Sequence, residues 1–80
     1  MHRYIFTYYL GDELALYAES EEDAASEDDD TLGNAAYLRF HRRCTEDILE
    51  YKREHPNEAE RGGGHGQIFD TYLGEVVKDW

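Results

Sequence analysis

Two apolar runs, Tyr4 to Leu10 and Leu14 to Ala18, flank a Gly11-Asp12-Glu13 break. That layout predicts a β-hairpin over residues 1–19. A glycine at the first central position of a two-residue connection takes positive φ without a Cβ clash, which suits a type II′ turn at Gly11-Asp12. An uninterrupted ladder from that turn sets Phe6 opposite Tyr17 and Ile5 opposite Ala18. One face then collects Tyr4, Phe6, Tyr8 and Tyr17, and the other Ile5, Thr7, Tyr9, Leu14, Leu16 and Ala18. The phrase Ile5-Phe6-x-x-Tyr9-Leu10-Gly11-Asp12 returns as Ile68-Phe69-x-x-Tyr72-Leu73-Gly74-Glu75. A second hairpin over 67–80 follows, with its turn at Gly74-Glu75 and Phe69 opposite Trp80. Chance similarity of two short apolar stretches is the competing explanation. Ile68, Tyr72, Leu73, Val76, Val77 and Trp80 also recur at helical spacing, but Gly74 and the β-branched Thr71, Val76 and Val77 favour strands.

Between the hairpins the period changes. Tyr37, Phe40, Cys44, Ile48 and Tyr51 draw a single stripe along a helix placed at 31–55, with its regular part from Gly33 or Asn34 to Glu54. Pro56 ends it, because the residue before a proline disfavours helical backbone. A second cap at Thr45-Glu46-Asp47 is the alternative, which would leave Ala36 to His41 as a strand. Residues 56–66, with Gly62-Gly63-Gly64-His65-Gly66, read as a flexible connection. In residues 20–30, Ser20 can cap a short acidic helix through Ala24 and Ala25, and the carboxylates from Glu27 to Asp30 would end it as a solvated loop. The expected fold is therefore α+β: a small antiparallel sheet of two terminal β-hairpins packed with one long central helix, in a single domain spanning 1–80. Eighty residues bury only a thin core, so the stability margin is small.

Charge changes the picture more than any motif. Nineteen Asp and Glu against eight Lys and Arg leave −11 at pH 7. Such a field repels nucleic acid and anionic membranes and attracts basic surfaces. Asp12, Glu13, Glu19, Glu21, Glu22, Asp23, Glu27, Asp28, Asp29 and Asp30 follow one another with no Lys or Arg among them. A solvated loop is the plain explanation of such a run; a docking surface for cations is the sharper one. Seven tyrosines add a second signal, because tyrosine anchors interfaces at low entropic cost, although β propensity alone also enriches it in strands. Tyr8, Tyr9 and Tyr17 are the candidate anchors.

Other chemistry is thin. Cys44 is the single cysteine, so neither an intrachain disulfide nor a cysteine cluster can form, which suits a reducing compartment. No stretch approaches membrane-spanning length and no signal-peptide pattern opens the chain, so a soluble, cytoplasmic protein is expected. Asp28-Asp29-Asp30-Thr31-Leu32-Gly33 lacks the later ligands of a calcium loop. His41 and Cys44, three apart, with His55 or His65 make a weak metal set, and Cys44 on an apolar stripe reads as core. The glycine cluster lacks the Lys and Ser or Thr of a phosphate loop. His41, Arg42 and Arg43 form a small basic spot suited to a phosphate or to the acidic run. No catalytic constellation assembles, and neither enzyme activity nor a cofactor is expected.

A small, strongly acidic chain with a tyrosine-rich hairpin, an Asp/Glu run and no catalytic set resembles the phage-encoded anti-CRISPR proteins, in particular those that inhibit type I surveillance complexes. The resemblance lies in size, charge and layout over the whole length. It implies an inhibitor in the cytoplasm of an infected bacterial host that acts as a DNA mimic without turnover. The implied partner is a basic protein surface on a CRISPR effector complex subunit, contacted by a monomer, with no direct nucleic acid or membrane binding. Carried onto this chain, Glu21, Glu22, Asp23, Glu27, Asp28, Asp29 and Asp30 would pair with that surface and Tyr8, Tyr9 and Tyr17 would anchor it. The rival class is a small regulatory or assembly domain acting through homodimerisation or strand addition at an open sheet edge.

Overall fold

The computed structural model describes residues 3–20, 35–57 and 64–80. Strands β1 (Tyr4–Leu10), β2 (Glu13–Glu19), β3 (Gly64–Asp70) and β4 (Glu75–Asp79) form a four-stranded antiparallel sheet in the order β2-β1-β3-β4. Helix α1 (Ala35–Glu54) packs on one face of it. The two hairpins meet through β1 and β3, where Ile5 pairs with Phe69 and Phe6 with Ile68. The repeated Ile-Phe phrases are thus neighbours at the centre of the sheet, but they are out of step. Cross-strand partners share a face, so Phe6 and Ile68 point at the helix while Ile5 and Phe69 point away. The repeat in sequence is not a repeat in structure.

The helix follows the apolar stripe. Tyr37, Phe40, Cys44 and Ile48 are buried, and Tyr51 packs against them from the same side. Tyr4 meets Tyr37 edge-on at 5.4 Å and Phe40 at 6.2 Å, whereas Tyr8 meets Tyr51 at 6.1 Å. Hence α1 runs alongside β1 in the same direction. It is continuous through Thr45, whose hydroxyl donates back to the carbonyl of His41 at 3.0 Å instead of capping a new helix. It ends before His55-Pro56, with Lys52 and Arg53 in the last turn, where cations favour the helix dipole.

Both hairpins differ from the expected registers. Gly11 has a φ of 61° and no non-glycine residue takes positive φ among the described residues, the signature of a type II′ turn at Gly11-Asp12. The ladder above it carries a bulge: Tyr9 pairs with Leu14 but Tyr8 pairs with Leu16, leaving Ala15 as the extra residue. Every later pair shifts by one, so Phe6 faces Ala18, Ile5 faces Glu19, and Tyr17 pairs with Thr7. Tyr17 therefore leaves the Tyr4-Phe6-Tyr8 face, while Leu16 and Ala18 join it. In the second hairpin the turn is not Gly74-Glu75. It is a four-residue loop, Thr71 to Gly74, closed by the Asp70-Glu75 pair. A further bulge places Val77 between the pairs Phe69-Val76 and Ile68-Lys78. Trp80 consequently reaches Gly66, not Phe69, and its backbone N–H donates to the Gly66 carbonyl at 2.9 Å.

Asp70 explains the longer loop. Its side chain is fully buried, and one carboxylate oxygen, Oδ1, accepts from the backbone N–H groups of Tyr72 at 2.8 Å and Leu73 at 3.2 Å. The Gly74 N–H then donates to the Asp70 carbonyl at 2.8 Å, with Gly74 at a φ of 70°. This is the chemistry of a helix N-cap confined to one turn. Asp70→Ala strands two donors and is expected to cost about 2 kcal/mol, whereas Asp70→Asn keeps an acceptor and loses about half of that. Urea midpoints measure both; equal stability of the alanine variant and the parent would show that the carboxylate does not hold the loop.

The glycine cluster is also structural at its end. Gly64, His65 and Gly66, expected in the flexible connection, belong to β3 and pair with Leu10, Tyr9 and Tyr8. A Cβ on Gly64 would collide with the Tyr8 hydroxyl, and one on Gly66 would come within 3.0 Å of Trp80 and 3.2 Å of Ile48. The absent side chains make the floor on which those large groups lie.

Candidate protein-docking surface

The register sorts the sheet into two unlike faces. Toward α1 lie Tyr4, Phe6, Tyr8, Ile68 and Asp70, all buried, with Trp80 edge-on to Phe6 at 5.6 Å. Away from α1, reading across β2, β1, β3 and β4, one row is Glu19, Ile5, Phe69 and Val76, and the next is Tyr17, Thr7, Gln67 and Asp79. A third row is Leu14, Tyr9 and His65. Among the described residues no element covers this face. Tyr17 is 56% exposed, Leu14 50%, Val76 41% and Tyr9 36%, while Ile5 and Phe69 are half-buried between their neighbours. Exposed tyrosine and aliphatic side chains gathered on one sheet face make it a candidate contact site.

Carboxylates stand at both edges of it. Glu19 lies on β2, and its Oε1 accepts from the Tyr17 hydroxyl at 3.0 Å; that bond, more than desolvation or the neighbouring charge, raises the Tyr17 phenol above its ordinary range. Asp79 lies on β4, with its Oδ1 3.8 Å from His65 Nε2. The strands and their turns carry Asp12, Glu13, Glu19, Asp70, Glu75 and Asp79 against Arg3 and Lys78 alone, while on the helix Arg39, Arg42, Arg43, Lys52 and Arg53 nearly balance Glu46, Asp47, Glu50 and Glu54. Negative charge is therefore concentrated on the sheet side of the described fold.

Of the residues expected to meet a partner, Tyr9 and Tyr17 lie together on the uncovered face. Tyr8 does not: it is 2% exposed and packed under α1, so it is a core residue and unavailable to a partner. Glu21, Glu22, Asp23, Glu27, Asp28, Asp29 and Asp30, with the short acidic helix, lie outside the described residues. Ile5 and Leu14, which the alternation already set on the face of Tyr9, were not read as contact residues, and Phe69 and Val76 were missed because the second hairpin's register differs from the expected one.

The remaining candidates disperse. His41 stacks on Trp80 at 5.2 Å, and burial, with the Lys78 charge second, holds its imidazole below the ordinary range. Cys44 is fully buried, and its thiol is pushed up to about 12 by burial first and Asp47 second, against the opposing pull of Arg43. It is poorly suited to ligation or nucleophilic attack. His55 stacks on Tyr51 at the end of α1, and His65 lies on the far side of the sheet from Cys44. No set of three His, Cys, Asp or Glu is placed to hold a metal among the described residues. Arg42 pairs with Glu46 one helical turn away at 3.4 Å, an exposed pair of little energetic weight. No helix among the described residues is long and apolar enough to cross a membrane. Comparison with family models, with curated proteins and with solved structures finds no match, so any functional reading stands on the chain's own residues.

Proposed function

We propose that this chain is a non-catalytic inhibitor that docks on a basic surface of a nucleic-acid-binding protein complex and denies that surface to DNA. The observation that carries the reading is the coincidence of −11 net charge with a tyrosine-bearing sheet face that no element among the described residues covers. Duplex DNA presents one negative charge per about 1.7 Å of axis, and proteins hold it with Lys and Arg. Closely spaced carboxylates compete for those same cations. The resemblance to anti-CRISPR proteins narrows the partner to the DNA-binding channel of a type I surveillance complex. Glu21, Glu22, Asp23, Glu27, Asp28, Asp29 and Asp30 supply the charge, and Tyr9 and Tyr17 the anchoring contact.

The test is a mobility-shift titration with a purified type I complex and its labelled target duplex. The expected result is stoichiometric loss of DNA binding with no change to the complex's composition. The loss should weaken as salt rises from about 0.15 M toward 0.5 M, because exposed charges are screened over about 8 Å at physiological ionic strength. Unchanged DNA binding with the protein in excess would rule out this target. The competing reading, strand addition or homodimerisation at a sheet edge, draws support from the edge strands β2 and β4, but each carries a bulge, a device that twists an edge away from further pairing.

A further inference from the structure

We infer that the uncovered face of the sheet is a cradle for a cationic amphipathic helix of the partner protein, with Ile5, Tyr9, Tyr17 and Phe69 as its floor and Glu19 and Asp79 as its two charged walls. The inference rests on the proposed function, and it names the partner element that function would use. Glu19 and Asp79 stand on the two edge strands with the two central strands between them. Three interstrand spacings of about 4.8 Å separate those edges by roughly 14 Å. An α-helix with its side chains is about 10 Å across. A helix laid along β1 and β3 fits between the walls, and lysine or arginine on its two flanks reaches a carboxylate on either side.

The floor suits the middle of such a helix. Apolar side chains find Ile5 and Phe69 in one row and Tyr9 in another, while the aliphatic stems of flanking cations lie over Tyr17. The same sheet already receives a 20-residue helix on its inner face through aromatic side chains of β1. A second sheet would fit less well, since it would span all four strands and bury Glu19 and Asp79 beneath it, whereas a helix between them leaves both carboxylates at its rim. A second copy of this chain fits less well again, because two chains of −11 repel one another and each would set Glu19 and Asp79 against the other's carboxylates.

The probe is a synthetic 18-residue peptide of leucine and lysine, with leucines at helical spacing, compared with a scramble of the same composition and charge. Titration into the 80-residue chain is followed by backbone amide and aromatic NMR shifts. The expected result is perturbation of Ile5, Tyr9, Tyr17 and Phe69, affinity about tenfold above that of the scramble, and about tenfold loss on Tyr17→Ser or Glu19→Lys, with thermal unfolding of both variants unchanged. Equal affinity for the scramble, or shifts confined to residues 21–34, would overturn the cradle while leaving the proposed inhibition intact. Perturbation of the same residues by raising protein concentration without peptide would assign the face to a second copy and overturn it likewise. Docking of the peptide on this face by a protein that leaves the surveillance complex active would uphold the cradle and refute the inhibitor reading.

Discussion

Phe6→Ala is expected to unfold most of the chain at physiological temperature. Phe6 is fully buried at the centre of the sheet, opposite Ile68, with Trp80 edge-on to its ring. Truncating a buried phenylalanine costs about 3–5 kcal/mol, part in lost transfer energy and part in the cavity left behind. A chain of 80 residues has a total margin of about 4–12 kcal/mol, at roughly 0.05–0.15 kcal/mol per residue. The cost therefore reaches the lower end of that margin, which is where the thin core of so short a chain places it. Backbone relaxation offers little relief, because Phe6 sits where both hairpins and the helix converge. Leu14→Ala in the same hairpin is the comparison: at 50% exposure it should shift stability by no more than about 0.5 kcal/mol. Far-ultraviolet circular dichroism against urea distinguishes them, and a midpoint for Phe6→Ala close to that of Leu14→Ala would mean that the core is not organised around this ring.

That contrast shows which parts of the fold the amino-acid order makes legible. The helix was readable because its stripe depends on spacing alone: Tyr37, Phe40, Cys44, Ile48 and Tyr51 lie on one side of any α-helix built through them, and all five meet the sheet. The Gly11-Asp12 turn was readable because positive φ at its first position selects glycine. The strand registers were not. A bulge depends on how an edge strand must twist to cover the core, which local sequence does not encode, and one extra residue transfers Tyr17 from one face to the other. The second turn was obscured by its similarity to the first: Gly74 does take positive φ, but as the last residue of a loop that the Asp70 carboxylate organises from inside the protein.

The same physics decided what could be seen of the candidate docking surface. Tyr8 and Tyr9 are adjacent and chemically identical, and only the pleat separates a core residue from an exposed one. Gly64 and Gly66 read as flexible because glycine is permissive, yet their value here is vacancy, since Tyr8, Trp80 and Ile48 occupy the space that side chains would take. Charge, by contrast, needs no register. The excess of carboxylates is a property of composition, and its concentration on the strands follows from which segments carry Arg and Lys. Composition thus carries the charge argument, while the fold decides which side chains stand exposed.

Reversing Asp28, Asp29 and Asp30 to lysine is expected to lower affinity for the basic partner more than a hundredfold at physiological salt and so to abolish inhibition. Each reversal both removes an attraction and adds a repulsion. Close charge pairs across an interface have couplings of about 1.5 kcal/mol upward, and tenfold in affinity is about 1.4 kcal/mol. Three reversals acting together therefore exceed two decades even if each contributes only about 1 kcal/mol. Association should slow more than dissociation quickens, because the field that steers encounter is weakened, and the salt dependence of the remaining binding should flatten. The control is the same change of charge elsewhere: Glu46, Glu50 and Glu54 to lysine on the exposed side of α1. If net charge alone governs association, the two triple variants lose affinity equally. If the acidic segment is the docking element, the helix variant keeps most of its inhibition while the Asp28, Asp29 and Asp30 variant keeps none. Full inhibition by the latter, with an unchanged circular dichroism spectrum, would remove the segment from the mechanism and leave Tyr9, Tyr17 and the sheet face to account for binding.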